Sequence, residues 1–253
     1  MTKITIVESN TPDLPAQSEG FAAALLAIDP ALQIRVVEPY AGAAAAETFG
    51  DADGIVFTGS SVEWSTAAPE AEPLRVAMRA AFAAGRPVYG SCNGLQLAAV
   101  VLGGRVEASP NGREEGTARA IALTKAGRTH PMMAGRQDGY AALCIHRDEV
   151  SDLPPGAVLI SGNAHSPVQA MVYEQDGVTF WGCQYHPEYT VEHLSDVLER
   201  LGRASGDCAA LRASTTDAEA AARFGTTPAG LSHEVHRTEL RNWLALVRDR
   251  KAK

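Results

Sequence analysis

The N-terminal part of the chain alternates short runs of β-branched and apolar residues with longer segments in which apolar residues recur every three to four positions. The first pattern is typical of buried strands and the second of amphipathic helices. In chain order the predicted segments are 4–8 (strand), 18–28 (helix), 34–38 (strand), 54–59 (strand) and 73–85 (helix). This order predicts a parallel sheet whose strands are connected by crossover helices.

The second half of the chain has a different pattern. From about residue 117 strands are separated by turns rich in Gly, Pro and Asp. Gln175, Asp176 and Gly177 lie between two of these strands and indicate a β-hairpin. After about residue 205 the spacing predicts one or two surface helices. No internal repeat or long low-complexity linker is present, which favours one α/β unit with a C-terminal helical extension.

Composition excludes several classes of protein. The chain of 253 residues is 45% hydrophobic and 21% charged, which is typical of globular proteins. Its net charge of -8, without a basic run, argues against binding to nucleic acid or anionic membranes. No apolar stretch approaches the roughly 18 residues that span a bilayer, and the N-terminus lacks the features of a secretory signal. We therefore expect a cytoplasmic protein.

The 4 cysteines are too few and too scattered for a disulfide scaffold, and no C-x-x-C pair indicates structural zinc. Cys144 and Cys183 lie in apolar runs and are expected to be core thiols, whereas Cys208 is expected at the surface. His233 and His236 are three positions apart, but no Cys or carboxylate set surrounds them. We therefore predict no metal site. The remaining cysteine has a different setting.

The segment Gly90-Ser91-Cys92-Asn93-Gly94 lies between a predicted strand and a predicted helix. Such a G-x-C-x-G segment is typical of a nucleophile elbow that carries sulfur in place of oxygen. Glycines two residues on either side suit a sharp turn that leaves no room for side chains. The start of the following helix favours a thiolate, because its free N–H groups carry partial positive charge. A buried cysteine in a glycine-flanked turn is the alternative without chemistry.

A thiolate nucleophile needs a general base and a group that orients the base. His186-Pro187-Glu188 follows an apolar run, so the histidine falls at the end of a strand, where α/β proteins assemble their sites. Glu188 is near enough in sequence to accept a hydrogen bond from the imidazole, and Pro187 stiffens the link. Taken alone, this tripeptide could equally be structural or catalytic. Together with the elbow it favours a Cys-His-Glu triad.

Three segments, FTGSSVEW, GSCNGLQLAAVVLGG and QYHPE, carry a resemblance to a known family. They resemble the class I (triad) glutamine amidotransferases, especially the stand-alone proteins related to the glutaminase domain of guanosine monophosphate (GMP) synthetase. Segments at 114–116, 145–162 and 166–173 resemble the same subgroup in the same order. The resemblance implies a flavodoxin-like three-layer sandwich with a mostly parallel central sheet and an added β-hairpin region. It implies an amidotransferase-like domain over 1–204. The C-terminal helical extension, 205–253, has no counterpart that the resemblance indicates, and we expect it to pack on the same domain.

The resemblance also implies catalytic roles for the matching positions. Cys92 would attack the γ-carboxamide carbon, His186 would transfer the protons, and Glu188 would orient His186. A γ-glutamyl thioester would form and then be hydrolysed by water.

Further positions would bind the substrate by the same resemblance. The oxyanion would be held by the backbone N–H of Asn93 and by one from the turn at Gly59 and Ser60. Gln96 would contact the glutamyl backbone atoms, and His146 lies in the segment that lines the glutamine pocket of relatives. Both have alternatives, because Gln96 could be an ordinary polar helix residue and His146 a structural one.

The chain departs from the family pattern beside this pocket. Where relatives commonly have His-Gly-Asp, it has His146-Arg147-Asp148. A bulky cation there could change how the carboxylate of the substrate is held, or close the pocket to larger amides.

These features predict a cysteine-dependent amidohydrolase that cleaves glutamine or a related γ-glutamyl amide and needs no metal or organic cofactor. Only about 50 residues follow the predicted core, which is too few for a second catalytic domain. Because the resemblance is to the stand-alone subgroup, we expect a free-standing hydrolase of a small-molecule substrate. The first alternative is a glutaminase that delivers ammonia to a separate synthetase subunit. Further alternatives are a thiol peptidase or esterase and a non-catalytic binding protein. The oligomeric state is not indicated.

Overall fold

The computed structural model describes residues 1–42, 46–203 and 207–252. The strands in these ranges are β1 (Lys3–Val7), β2 (Gln33–Val37), β3 (Gly54–Phe57), β4 (Val88–Ser91), β5 (Arg105–Ala108), β6 (Glu114–Leu123), β7 (Tyr140–His146), β8 (Asp148–Asp152), β9 (Val158–Gly162), β10 (Ala170–Gln175) and β11 (Val178–Cys183). The α-helices are α1 (Ser18–Ile28), α2 (Glu72–Ala83), α3 (Asn93–Val101), α4 (Val191–Arg200), α5 (Asp207–Ala213), α6 (Ala218–Arg223), α7 (His233–His236) and α8 (Thr238–Lys251). The boundaries of the five predicted N-terminal segments agree with these to within two residues.

Nine of the described strands form one sheet in the order β2-β1-β3-β4-β11-β10-β9-β6-β7. The strands from β2 to β11 pair in parallel, and the strands from β11 to β7 pair antiparallel. The parallel part has the 2-1-3-4-5 order of flavodoxin-like folds, with β11 in the fifth place. The predicted α/β class and the mostly parallel centre of the sheet are therefore confirmed.

The predicted hairpin joins β10 to β11, which are paired from Ala170 opposite Cys183 to Gln175 opposite Val178. Its two turn residues, Asp176 and Gly177, have φ values of 53° and 78°. Two positive φ values are the requirement of a type I′ turn, whose twist matches that of the strands. The hairpin returns the chain to the sheet so that β11 lies beside β4.

Helices cover both faces of the parallel strands. On one face α2 and α3 bury Leu74, Met78 and Leu95 against the sheet, and on the other α1 and α8 bury Phe21 and Trp243. Trp243 is fully buried and packs on Tyr89 of β4, with ring centroids 5.9 Å apart. The three-layer sandwich predicted from the resemblance is present.

The C-terminal helix α8 is a core element rather than only a surface helix. Its buried residues Leu240, Trp243, Leu244 and Val247 follow the i, i+3, i+4, i+7 spacing of one apolar stripe. A Cβ atom on Gly54 of β3 would lie 2.9 Å from Trp243 Cη2, so the glycine makes room for the indole. The expectation of surface helices for the whole tail was therefore wrong for α8. The predicted domain boundary between 204 and 205 lies outside the described residues and stays a prediction.

A third apolar cluster lies where α5 packs on α4. It contains Leu194 and Leu198 of α4 with Cys208 and Leu211 of α5. The expectation that Cys208 is exposed was wrong, because it lies three positions before Leu211 and both side chains face α4. Its thiol lies 3.5 Å from the carbonyl oxygen of Ser195.

Among the described helices, α8 is the longest, with 14 residues. None of the helices in the described ranges is long and apolar enough to cross a membrane.

Candidate active site

Cys92 lies between β4 and α3 in a conformation that few residues with a side chain adopt. Its φ is 50°, in the region that favours glycine. A Cβ atom on Gly90 would lie 2.5 Å from the carbonyl carbon of Gly94, and one on Gly94 would lie 2.6 Å from the carbonyl oxygen of Phe57. Neither glycine can carry a side chain without a shift of the backbone. The turn is the predicted strand-to-helix elbow, and the backbone strain falls on the cysteine itself.

The pairing of β4 with β11 brings Cys92 close to His186. Ser91 is in register with Cys183, and the backbone N–H of Cys92 donates to the carbonyl oxygen of Cys183 at 2.8 Å. His186 follows β11 by three residues, and its N–H donates to the carbonyl oxygen of Leu143 at 2.8 Å. Both side chains therefore emerge at the carboxyl ends of adjacent parallel strands, where this class of sheet forms its sites.

The imidazole of His186 is oriented by Glu188. His186 Nδ1 lies 2.7 Å from Glu188 Oε1, and both side chains are buried. The hydroxyl of Ser91 lies 2.9 Å from each carboxylate oxygen of Glu188, so it donates to that carboxylate. Sequence reasoning missed Ser91. The available signal was its position next to Cys92 at the end of the same strand.

The state of His186 suits proton transfer at the cavity. Burial alone would lower its pKa, but the negative charges of Glu188 and Cys92 outweigh burial and raise the pKa to about 10. The other ring nitrogen, Nε2, is buried and has no hydrogen-bond partner within the described part of the chain. Its Nδ1 is held by Glu188, so the proton on Nε2 is the one available for transfer.

Two contacts fix the plane of the His186 ring. The ring of Tyr189 stacks on it with centroids 4.0 Å apart and planes at 7°. A Cβ atom on Gly59 would lie 2.6 Å from His186 Cε1, so any side chain at this position would displace the imidazole. Gly59 thus has a steric role that the sequence did not indicate.

The turn after β3 holds backbone donors at the edge of the cavity. Asn10 Oδ1 accepts from the hydroxyl of Ser60 at 2.9 Å and from the N–H of Ser61 at 2.7 Å, which fixes the turn. The described hydrogen bonds of Ser60 and Asn93 do not engage their backbone N–H groups. Both residues line the same cavity as Cys92. Two free donors beside a nucleophile are the arrangement that an oxyanion requires.

Gln96 and His146 also line the cavity, and both are tied to the protein. Gln96 Nε2 donates to the carbonyl oxygen of Asp148 at 2.6 Å and to Gln184 Oε1 at 3.1 Å. His146 has a partner at each ring nitrogen, Glu114 Oε2 at 2.9 Å and the carbonyl oxygen of Asp148 at 3.2 Å. The amide oxygen of Gln96 is therefore the free polar group, whereas the His146 ring is fully engaged.

Arg147, which stands where relatives commonly have glycine, is bound within the protein. Its Nε and Nη2 atoms lie 2.7 and 3.2 Å from the two carboxylate oxygens of Asp148. Its Nη1 donates to the carbonyl oxygen of Glu63 at 3.2 Å. The guanidinium lines the cavity, but its charge is largely matched by the neighbouring carboxylate.

The cavity has a volume of about 140 Å³, which suits a small ligand. Six of the eight predicted site residues line it, and the other two, Gly59 and Glu188, lie against the His186 ring. The six are Ser60, Cys92, Asn93, Gln96, His146 and His186. The structure thus brings all eight predicted residues to one place.

Two further thiols and the two histidines of the C-terminal segment do not line this cavity. Cys144 and Cys183 are fully buried, and burial raises the pKa of both thiols well above its ordinary value. His236 is buried, and its Nε2 lies 2.8 Å from the carbonyl oxygen of His186, whereas His233 is exposed. Within the described ranges no group of three or more His, Cys, Asp or Glu residues could hold a metal ion.

Comparisons with known proteins identify the family of the chain and several relatives. The family model for class-I glutamine amidotransferases matches residues 24–200. A γ-glutamyl-L-1-hydroxyisopropylamide hydrolase of a Pseudomonas species is 39% identical over 143 residues, 55% of this chain and 48% of the relative. A glutamine-hydrolysing GMP synthase of Clostridium novyi is 36% identical over 132 residues, 52% of this chain and 24% of the synthase. The matches thus span less than half the length of these relatives.

Solved structures share the fold along the whole chain. A glutamine amidotransferase from Thermotoga maritima superposes with a TM-score of 0.69 at 17% identity, covering 97% of each chain. A glutamine amidotransferase from Methylobacillus flagellatus gives 0.65 at 23% identity, covering 99% of this chain and 94% of the other. The aligned length therefore includes most of the C-terminal extension. Because the family model covers most of its length, this chain belongs to the class-I glutamine amidotransferase family.

Proposed function

We propose that the protein is a cysteine-dependent amidohydrolase that cleaves the γ-carboxamide of glutamine or of a related γ-glutamyl amide. The observation that carries the proposal is the convergence of Cys92, on its strained elbow, with the buried His186–Glu188 pair at one small cavity. A cysteine activated by a histidine, with a carboxylate that orients the histidine, is the arrangement of covalent acyl transfer.

The first half of the reaction uses the proton held by His186. The Cys92 thiolate attacks the γ-carbonyl carbon of the substrate, and the backbone N–H groups of Ser60 and Asn93 bind the resulting oxyanion. His186 Nε2 gives its proton to the amide nitrogen, the C–N bond breaks, and ammonia or an amine leaves. A γ-glutamyl thioester on Cys92 remains.

The second half regenerates the enzyme. Water attacks the thioester carbonyl while His186 Nε2 accepts a proton from the water. The C–S bond breaks, glutamate leaves, and the proton on His186 again balances the thiolate of Cys92. Glu188 keeps His186 in the correct tautomer through both steps and does not itself exchange a proton.

The size of the cavity supports a small leaving group. A volume of about 140 Å³ is below the range of most drug-sized pockets, and the Arg147–Asp148 pair occupies part of its wall. The Pseudomonas relative is named for the hydrolysis of a γ-glutamyl amide of a small amino alcohol. These observations favour glutamine or a γ-glutamyl amide of a small amine, and hydrolysis without an acceptor domain.

The second candidate function is a glutaminase that supplies ammonia to a separate synthetase. The similarity to the glutaminase part of glutamine-hydrolysing GMP synthases favours it, because the matched segment covers only about a quarter of the Clostridium enzyme. The two functions share the chemistry of Cys92 and differ in whether the protein turns over substrate alone.

The test is incubation of the purified protein alone with glutamine and a panel of γ-glutamyl amides, followed by measurement of glutamate and amine. Hydrolysis that Cys92→Ala abolishes would support the free-standing hydrolase. No turnover of any substrate, with Cys92 still alkylated selectively by iodoacetamide, would support the glutaminase that depends on a synthetase. Turnover that Cys92→Ala does not reduce would contradict both.

A further inference from the structure

The environment of the Cys92 sulfur contains a donor that the triad does not supply. Gln184 is fully buried, and its Nε2 lies 3.5 Å from Cys92 Sγ. It precedes the catalytic histidine by two residues, and its backbone N–H donates to the carbonyl oxygen of Gln169 at 2.8 Å. Gln184 does not line the cavity, so it meets the reacting sulfur from the protein side.

The direction of this amide follows from a chain of hydrogen bonds. The carbonyl oxygen of Asp148 can only accept, so the NH₂ group of Gln96 must face it at 2.6 Å. The same NH₂ group has a second N–H, which reaches Gln184 Oε1 at 3.1 Å. The side-chain oxygen of Gln184 therefore accepts from Gln96, and its NH₂ group faces Cys92.

If the amide oxygen and nitrogen of Gln184 exchanged places, both groups would face unsuitable partners. Its NH₂ would face the NH₂ of Gln96, so that two donors met without an acceptor. Its oxygen would face the sulfur, where it would oppose a thiolate. The carbonyl oxygen of Asp148 thus sets the orientation of both amides, because it cannot change roles.

We propose that Gln184 is a catalytic residue that stabilises the Cys92 thiolate by donating a hydrogen bond, and that Gln96 is a positioning residue that keeps Gln184 in the donating orientation. The inference rests on the proposed function for the role of Cys92 as nucleophile. It assigns to Gln96 a structural contribution separate from any contact of its free oxygen with the substrate. The side chains of Gln184 and Gln96 act only through hydrogen bonds, and neither forms a covalent bond during the reaction.

The test measures the rate of Cys92 alkylation by iodoacetamide against pH, without substrate. Gln184→Met keeps the length of the side chain and removes the donor. Hydrogen bonds to charged groups are strong, so its loss should slow alkylation about tenfold at pH values where the Cys92 thiol is mostly protonated in both proteins. The pH profile should move to more alkaline values, and both proteins should reach the same limiting rate at high pH, where the thiolate is complete.

Two further variants separate an electrostatic role from a packing role. Gln184→Glu keeps the acceptor for Gln96 but places a carboxylate at the sulfur, so it should move the pH profile further towards alkaline values than Gln184→Met does. Gln96→Leu should move the profile in the same direction by a smaller amount, because Gln184 then loses its anchor. Circular dichroism and thermal unfolding identify any variant that is not folded, and the folded ones carry the comparison.

An unchanged alkylation profile in folded Gln184→Met would overturn the proposal. So would equal shifts in Gln184→Met and in a matched core variant such as Cys183→Ala, because that would indicate general packing. The readout needs no substrate, so a protein that fails to hydrolyse any γ-glutamyl amide still tests the role of Gln184. Failure of the proposed function would instead appear as absent turnover together with the predicted alkylation shift.

Discussion

Two buried histidines, His186 and His236, have equal burial and opposite chemistry. They are 2% and 1% exposed, and His236 Nε2 donates to the backbone carbonyl oxygen of His186 at 2.8 Å. Burial lowers the pKa of both. The charge of Glu188 and Cys92 reverses this for His186 and raises its pKa to about 10, whereas Arg136 adds to it for His236, whose pKa falls to about 4.

The carboxylate near His236 does not reverse the effect because it is already engaged. Glu239 accepts two hydrogen bonds from Arg136, at 2.7 and 2.8 Å, and one from the hydroxyl of Tyr185 at 2.8 Å. His236 therefore stays neutral and donates a hydrogen bond that fixes the backbone of His186. Burial alone therefore does not identify a histidine that transfers protons. What distinguishes His186 is a pair of nearby negative charges that no cation balances, together with a ring nitrogen that has no hydrogen-bond partner and lies at the cavity.

Substitution of His186 should reduce turnover far more than substitution of His236. His186→Gln should lower turnover about 10⁴-fold or more, because it removes the proton carrier. His236→Gln is the matched control and should stay within about tenfold of the wild-type rate, because the glutamine amide can donate to the same carbonyl oxygen. The measurement is hydrolysis of the preferred γ-glutamyl amide by folded protein. Equal losses of turnover in the two variants would show that His236 is as necessary for the reaction as His186.

Glu188 and Glu239 should affect different properties of the protein, the first its turnover and the second its stability. Glu188→Gln should lower kcat about 10³- to 10⁴-fold, because the amide no longer enforces the catalytic tautomer or charge of His186. Glu239→Gln should leave kcat of the folded protein nearly unchanged. It should lower the free energy of unfolding by about 3 to 5 kcal/mol, because the guanidinium of Arg136 stays buried without its partner.

Rate measurements and chemical denaturation of both variants decide this prediction. A severe loss of kcat in stable Glu239→Gln protein would show that the Arg136–Glu239 pair belongs to the catalytic machinery. Unchanged kcat in Glu188→Gln would remove Glu188 from it.

The opposite pKa shifts predict opposite effects of pH on stability. An unfolded histidine titrates near 6.5, but folded His236 titrates near 4. The unfolded chain therefore binds this proton more readily, and stability falls as the pH drops from 6.5 towards 4, by roughly 3 kcal/mol from this residue. His236→Gln lacks this contribution, so the difference between wild-type and variant unfolding free energies should shrink over the same interval.

His186 acts in the other direction. Its folded pKa of about 10 lies above 6.5, so its contribution is present below pH 6.5 and is lost as the pH rises towards 10. Denaturation curves of wild type and His236→Gln at several pH values between 4 and 7 test the acid side. Parallel curves that keep a constant difference would contradict the neutral state of His236.

The smallest expected effect concerns Ser91, whose hydroxyl contacts Glu188 at 2.9 Å. Ser91→Ala should lower kcat about three- to tenfold with little change in KM, because one hydrogen bond to the orienting carboxylate is lost. Ser166→Ala is a control, since its hydroxyl contacts Glu149 instead. A change in KM alone in Ser91→Ala would indicate a role in binding rather than in orienting the triad.

The parts of the site that the sequence predicted are those determined by local sterics. Gly90 and Gly94 have no room for a side chain, so the elbow leaves a short and specific pattern around Cys92. His186 and Glu188 are separated by one residue, so their hydrogen bond needs no knowledge of the fold. The alternating strands and helices likewise predicted the parallel part of the sheet.

The parts that the sequence did not predict depend on contacts between distant segments. Gln184 and Gln96 meet across 88 positions, and the position of Cys208 depends on how α5 packs on α4. The apolar stripe of α8 was visible in its spacing, but which face it covers follows from the room above Gly54. No local pattern encodes such pairings, because each side chain is ordinary until its partner is placed beside it.

The proposed function requires that Cys92 carries the γ-glutamyl group during turnover. The most direct measurement is acid quenching of the protein during hydrolysis of its preferred γ-glutamyl amide, followed by mass spectrometry of its peptides. The account predicts one γ-glutamyl group on the peptide that contains Cys92, and neither adduct nor turnover in Cys92→Ala. A γ-glutamyl group on another side chain, with Cys92→Ala still active, would contradict it.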